Sequence, residues 1–339
     1  MTKIKIGQVG LGRLGRVHAN NIVKHLPQAK LYAVASVVSE ELNYAKESLG
    51  VPFTYHSFSE MIENEALDAI VIASPSGFHT VQITQALNKG LHVFSEKPLG
   101  LEMSSIQEVV ETINKKPSQV FQLGFMRRFD DSYRYAKQLV DNKALGELTA
   151  IRCYGIDPTE ALPSFINFAK NAASGGLFLD MSIHDIDLIR WFTQSEFKTV
   201  YALGHNIAAP ELNACQELET GACLAELDNG VIAYLLAGRN AHHGYHVETE
   251  LMGTKGMLRI GNAPEKNLVT LYDEHGVVRP TSTHFPERFK QAFVNELQAF
   301  IDAIIQNKSA SVSGIDGLKS TEVAIAMQKS YDEKSIIQL

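Results

Sequence analysis

From residue 4 to residue 123 the chain alternates short apolar runs with amphipathic stretches. The runs are Ile4–Val9, Leu31–Val37, Ala69–Ala73, Leu91–Phe94 and Gln119–Leu123. Between them, apolar residues at helical spacing predict helices over Arg13–His25, Glu40–Ser48, Phe58–Asn64, Phe78–Asn88 and Ser104–Asn114. Ala69–Ala73 reads Ala-Ile-Val-Ile-Ala, without polar alternation, as a strand buried on both faces requires. Strand, helix, strand in this order predicts an open parallel sheet with right-handed crossovers.

The pattern then changes. Helices are predicted over Ser132–Asn142 and Leu177–Phe192, with a β run at Leu148–Ile156 between them. Hairpins follow without intervening helices. Leu224–Leu227 and Val231–Leu236 flank Asp228-Asn229-Gly230, a strong turn signal. Val247–Met252 and Met257–Ile260 flank Gly253-Thr254-Lys255-Gly256, and Leu268–Tyr272 and Val277–Arg279 flank Gly276. Such a series predicts an antiparallel sheet. A last helix, Glu287–Asn307, carries Phe289, Phe293, Leu297, Phe300, Ile301 and Ile304 at helical spacing. The expected fold is an α/β dinucleotide-binding domain over residues 1–123, then an α+β domain with a large antiparallel sheet over residues 124–339.

A length of 339 residues suits two domains, and 45% apolar with 20% charged residues is ordinary for globular chains. Lys plus Arg number 31 against 38 Asp plus Glu, a net charge of −7, which argues against a nucleic-acid partner. Cys153, Cys215 and Cys223 form no Cys-x-x-Cys pair, so neither a disulfide framework nor a zinc site is indicated. Free thiols, no membrane-length apolar run and no signal-peptide pattern at the N-terminus give the expectation of a cytoplasmic protein without a membrane partner.

Gly10-Leu11-Gly12-Arg13-Leu14-Gly15 joins the first strand to the first helix. In that context G-x-G-x-x-G fits a dinucleotide pyrophosphate. Gly10 allows a tight turn, Gly12 leaves room for phosphate, and Gly15 lets the helix approach the strand. The acid that usually binds the adenosine ribose from the tip of the second strand is missing. Ser36 occupies that place, no Arg or Lys follows, and Glu40 and Glu41 lie just beyond. NAD is therefore expected over NADP. Ser74-Pro75 and His79, after the Ala69–Ala73 strand, and Glu96-Lys97-Pro98, after the next, fall at the carboxyl edge of the sheet, where ligands bind. Lys97 reads either as a surface ion pair beside a proline turn or as an ammonium set to hydrogen-bond a substrate hydroxyl.

Ser174-Gly175-Gly176 leads into a helix with Asp180, His184 and Asp187 at i, i+4 and i+7. That spacing puts all three on one face. Carboxylates one turn from an imidazole orient it for general-base work near neutral pH. The alternative is a solvated acidic face with an incidental His. With a single His and no matching pair elsewhere, no metal is expected.

Taken together, the glycine loop, Glu96-Lys97-Pro98, and Gly175-Gly176 leading to Asp180 and His184 resemble the glucose–fructose oxidoreductase/inositol dehydrogenase family, whose dinucleotide domain is of the Rossmann type. The resemblance covers nearly the whole chain. Gly124–Asp130, Ser182–Asp185, and Arg288-Phe289 with Glu296-Leu297-Gln298 resemble the inositol dehydrogenase branch, most nearly the bacterial NAD-dependent scyllo-inositol type. It implies that Lys97, Asp180 and His184 are catalytic. NAD would be held by Gly10, Gly12, Arg13, Leu14, Gly15, Ser36, Ser74, Pro75, His79, Glu96 and Lys97. Met126, Arg127, Asp157, Asp187 and Tyr245 would line the polyol pocket with the catalytic three. Myo-inositol enzymes carry His-x-Asn where this chain has Gly155-Ile156-Asp157, and a Tyr where it has Phe293. Both changes favour the scyllo isomer. The resemblance also implies a homotetramer built on an open sheet. A non-catalytic NAD-sensing protein, or a glycosidase using NAD transiently, are the competing classes.

Overall fold

Strand and helix alternate through the first third of the chain as β1 (Ile4–Val9), α1 (Arg13–His25), β2 (Ala29–Ala35), α2 (Ser39–Glu47), β3 (Phe53–Tyr55), α3 (Phe58–Asn64), β4 (Ala69–Ile72), α4 (His79–Asn88), β5 (His92–Glu96), α5 (Met103–Asn114) and β6 (Phe121–Gly124). The structure is a computed structural model describing residues 3–339 apart from 171–173, 262–264 and 275. The six strands form one sheet in the order β3-β2-β1-β4-β5-β6, parallel at every pairing. All four residues of β4 are buried, as its unbroken apolar run requires. Only β3 was not signalled by the apolar pattern; three residues, with Phe53 exposed, give too short a run.

The remaining elements are α6 (Asp131–Asp141), β7 (Leu148–Pro158), α7 (Leu162–Ala169), α8 (Ile183–Thr193), β8 (Phe197–His205), β9 (Thr220–Leu227), β10 (Ile232–Ala241), β11 (His246–Gly253), β12 (Gly256–Ile260), β13 (Leu271–Asp273), β14 (Gly276–Val278), α9 (Phe285–Arg288), α10 (Lys290–Gln306), α11 (Gly314–Glu333) and β15 (Ile337–Gln338). Seven strands form the second sheet in the order β12-β11-β7-β10-β9-β8-β15. Each expected hairpin is present. The sheet is nevertheless mixed, because β7 and β10 pair in parallel. Helices α7 and α8 lie between β7 and β8, and a long connection of that kind is what a parallel pairing needs.

The chain divides into two compact units, Met1–Phe129 with Gln291–Lys319, and Asp130–Lys290 with Ser320–Leu339. This departs from the single boundary expected after residue 123. Leu297, Phe300 and Ile301 on α10 are buried in one cluster with Ile6, Ile22, Leu31 and Phe94, so this late helix completes the core of the first unit. The expected Glu287–Asn307 helix is broken at Phe289 into α9 and α10. Among the described residues no helix is long and apolar enough to cross a membrane.

Candidate active site

Gln8, buried near the end of β1, fixes the glycine loop. Its side-chain amide donates to the carbonyl oxygens of Gly10 (2.9 Å) and Gly15 (2.7 Å). Gly10 sits at φ +87°, and a Cβ there would lie 2.4 Å from the Ala73 carbonyl oxygen. A Cβ on Gly15 would lie 2.2 Å from the carbonyl oxygen of Gly10. Gly12 is different: nothing lies within 4 Å of the Cβ it lacks. Arg13 and Leu14 open α1, whose first turn carries no acid and no side-chain cap. Open space at Gly12 and an uncapped helix N-terminus fit a dinucleotide pyrophosphate.

At the tip of β2 the Ser36 hydroxyl donates to Glu41 Oε2 at 2.6 Å. The Leu11 N–H donates to the same oxygen at 3.2 Å. The acid absent from the strand is thus brought to its tip by α2.

Ser74 Oγ donates to Gln82 Oε1 at 2.6 Å, and Pro75 leads into a single helical turn at Ser76–Phe78. His79 is buried, with Nδ1 2.7 Å from the Pro98 carbonyl oxygen and Nε2 2.9 Å from that of Ser74. Burial lowers its pKa while the two carbonyl contacts act in the opposite sense, and the ring ties together the loops after β4 and β5. Its ring faces protein oxygens on both sides, which marks it as a loop clamp.

Glu96 is buried beneath that edge. Its Oε1 lies 2.6 Å from His18 Nε2, and its Oε2 accepts the Lys97 N–H at 3.2 Å. Lys97 itself is half-buried. Glu296 of α10 is fully buried and clusters with His18 and Glu96. Burial, then the charge of Glu96, raises the Glu296 pKa well above its ordinary 4.5. The native state therefore keeps this proton when the unfolded chain has lost it, and stability falls as pH rises from the unfolded value through the raised one. Glu296→Gln, which is neutral throughout, should gain thermal stability over the parent progressively as pH rises above the ordinary carboxyl range. Melting curves at several pH values test this; an offset independent of pH would refute it.

In the second unit Gly175 and Gly176 take φ of +87° and +88°. Ser174 Oγ accepts the Gly176 N–H at 3.0 Å and bonds to Glu217, whose pKa burial raises. The expected regular helix from 177 to 192 fails at its start. Phe178–Ser182 is a π turn, wider by one residue than an α turn, and α8 begins only at Ile183. Asp180 lies in that turn, so its spacing to His184 no longer measures one α-helical turn. Its Oδ2 accepts from Arg239 Nη2 at 2.9 Å, a buried Arg whose guanidinium lies 3.4 Å from the Phe165 ring centroid. Arg239 was not singled out from the sequence; a cation within the apolar-rich β10 was the available signal. His184, Asp185 and Asp187 are buried, which excludes a solvated acidic face.

Asp157 and Tyr245 each lie one residue beyond the His246–Ile156 pair of β11 and β7, so the two meet at one end of the sheet. The buried Tyr245 ring packs edge-on to Phe285 and Phe289. Met126 and Arg127 are buried in the turn after β6. Phe293 is 2% exposed and packs edge-on to His18 in the first unit's core. Core packing accounts for this residue, so it no longer supports the isomer argument.

Residues 4–125 match the oxidoreductase family with an NAD-binding Rossmann fold, and residues 133–259 match the GFO/IDH/MocA C-terminal domain. Among solved structures, scyllo-inositol dehydrogenase from Lactobacillus casei with bound NAD(H) and scyllo-inositol is 55% identical, covers 99% of each chain and has a TM-score of 0.97. Myo-inositol 2-dehydrogenase from Lactobacillus plantarum is 45% identical over 100% of both chains, with a TM-score of 0.98. Among curated relatives, myo-inositol 2-dehydrogenase of Thermotoga maritima is 32% identical over 99% of this chain and 98% of its own. With family models matching residues 4–125 and 133–259 and a relative of this identity along nearly the full length, the chain belongs to the GFO/IDH/MocA oxidoreductases, with an NAD-binding Rossmann domain at its N-terminus.

Proposed function

We propose that this protein is an NAD-dependent inositol 2-dehydrogenase that oxidises scyllo-inositol to scyllo-inosose. The observation that carries the isomer is the 55% identity to the structure holding scyllo-inositol, against 45% to the myo-inositol enzyme. Gly155 on β7, where a myo-type pattern has His, supports the same reading by removing one polar partner for a ring hydroxyl.

In this reading NAD+, when bound at the glycine loop, would supply the hydride acceptor for the carbon bearing the reacting hydroxyl. Lys97 donates a hydrogen bond to that hydroxyl and eases loss of its proton. His184 takes the proton as general base, leaving a carbonyl on the ring. Asp180, fixed by Arg239, orients the base. Met126, Arg127, Asp157, Asp187 and Tyr245 hold the rest of the ring. Gly10, Gly12, Arg13, Leu14, Gly15, Ser36, Ser74, Pro75, His79, Glu96 and Lys97 shape the cofactor site, His79 and Glu96 from beneath.

The decisive assay is NADH absorbance with scyllo-inositol and myo-inositol side by side. We expect kcat/KM to favour scyllo-inositol, and Gly155→His to narrow the gap. No reduction with either isomer would overturn the activity; a clear preference for myo-inositol would overturn only the isomer.

We further assign the outer face of the seven-stranded sheet to a homotetramer in the cytoplasm. The strand register places Tyr201, Leu224 and Tyr234 in one row, with Ile232, Met252 and Met257 in another. Tyr201, Leu203, Leu224, Ile232, Met252 and Met257 are all exposed in the single chain. An apolar face of this kind marks an association surface. Light scattering should give four chains per particle, and Leu224→Glu should lower that number; a monomeric parent would end this assignment.

A further inference from the structure

We propose that Glu41 is the acid that recognises the adenosine ribose of NAD and turns away NADP, with Ser36 as its positioning residue. In dinucleotide folds this acid normally stands at the tip of the second strand, where its carboxylate accepts ribose hydroxyls and repels a 2′-phosphate. Here β2 ends at Ala35, and the tip holds only the Ser36 hydroxyl. Glu41, on the first turn of α2, supplies the missing charge.

The hydrogen bonds show how it is held. Ser36 Oγ and the Leu11 N–H both donate to Oε2, so the carboxylate is tied to the strand tip and to the glycine loop at once. Ser36 Oγ in turn accepts the Val38 N–H at 3.1 Å, which orients the hydroxyl towards Glu41. Oε1 takes no hydrogen bond among the described residues, and Glu41 is only half-buried. One oxygen is therefore anchored to the strand tip and the glycine loop, while the other keeps its capacity as an acceptor on a half-buried side chain.

The surroundings offer little to a 2′-phosphate. Residues 36–41 contain no Arg or Lys. Arg16 comes near, but its Nε donates to the Leu11 carbonyl oxygen at 3.3 Å and its guanidinium lies over the Tyr44 ring at 4.6 Å. A carboxylate fixed at the strand tip, with no cation within residues 36–41, selects the ribose hydroxyls over their phosphorylated form.

The test is fluorescence titration of NADH and NADPH against the intact protein, with no polyol present. It reads cofactor recognition alone, so its outcome is separate from that of the inositol assay. Glu41→Gln keeps the shape and removes the charge. We expect it to weaken NADH binding roughly tenfold or more, since a charged acceptor is lost, and to bring NADPH to comparable affinity. Glu41→Ala should do the same, and its melting temperature reports whether the fold survives. Glu40→Gln removes an equal charge from the exposed neighbour and should bind both nucleotides as the parent does. An unchanged NADH-to-NADPH ratio in Glu41→Gln would overturn the proposal. So would an equal change in Glu40→Gln, which would reduce the effect to net charge.

Discussion

His184→Ala is expected to lose about 10²–10⁴-fold in turnover of scyllo-inositol, the usual contribution of a positioned general base. NADH binding, followed by fluorescence, should stay at the parent value, because the glycine loop and the Ser36–Glu41 pair belong to the other unit. The variant should also fold. His184 is 9% exposed at the start of α8, where truncation leaves the apolar core residues Ile183, Ile186 and Ile189 in place. A companion change separates the base from its support. Asp180→Asn keeps the size of the side chain but weakens its charge-assisted bond to Arg239. It should lower turnover by less than His184→Ala and shift the pH dependence of kcat, which a purely structural role would leave unmoved. Turnover near the parent level in His184→Ala would remove this residue from the reaction.

The sequence made the parallel sheet legible because burial on both faces leaves continuous apolar runs, of which β4 is the plainest. The hairpins were legible for another reason: turns such as Asp228-Asn229-Gly230 demand particular residues. What stayed hidden depends on distant pairing. Nothing in the local pattern of β7 and β10 announces that they run in parallel, since that follows from where α7 and α8 deliver the chain. The return of α10 to the first unit was hidden likewise. Its apolar stripe said that it is buried, not against which core.

The site follows the same division. Gly10 and Gly15 were readable because backbone conformation and close approach admit few alternatives. The neighbours that fix them were not. Gln8 reads as a stray polar residue in a strand, and Glu296 as a break in the Phe293–Leu297 stripe. Gln8 explains itself only through the Gly10 and Gly15 carbonyls that it holds in the next loop, and Glu296 lies in a buried cluster with His18 and Glu96, far along the chain. A buried polar residue inside an apolar pattern is the signal that both share. Asp180 was singled out for the correct polarity but given the wrong local geometry, since periodicity assumes an α turn where the chain makes a π turn.

The three loop glycines are expected to separate stability from binding. In Gly15→Ala the new methyl meets the Gly10 carbonyl oxygen at 2.2 Å and its carbon at 2.8 Å, backbone atoms that cannot swing aside. Gly10→Ala adds a residue at φ +87° whose methyl would lie 2.4 Å from the Ala73 carbonyl oxygen. Overpacking of this kind costs about 1–3 kcal/mol, and left-handed backbone adds about 1–2 kcal/mol in the second case. For a unit of this size each kcal/mol is worth about 2–4 °C, so a loss of roughly 3 kcal/mol lowers the melting temperature by roughly 6–12 °C. Gly12→Ala meets no atom within 4 Å and sits at φ −63°, where Ala is unstrained. Its melting temperature should match the parent. Its methyl instead enters the space that the uncapped end of α1 offers to phosphate, so NADH affinity should fall by at least about tenfold. Calorimetry and NADH titration on the three variants decide the matter. If Gly12→Ala bound NADH as tightly as the parent, the open space at Gly12 would not be where the pyrophosphate lies. If it unfolded as early as Gly15→Ala, the glycine would be serving the fold and not the cofactor.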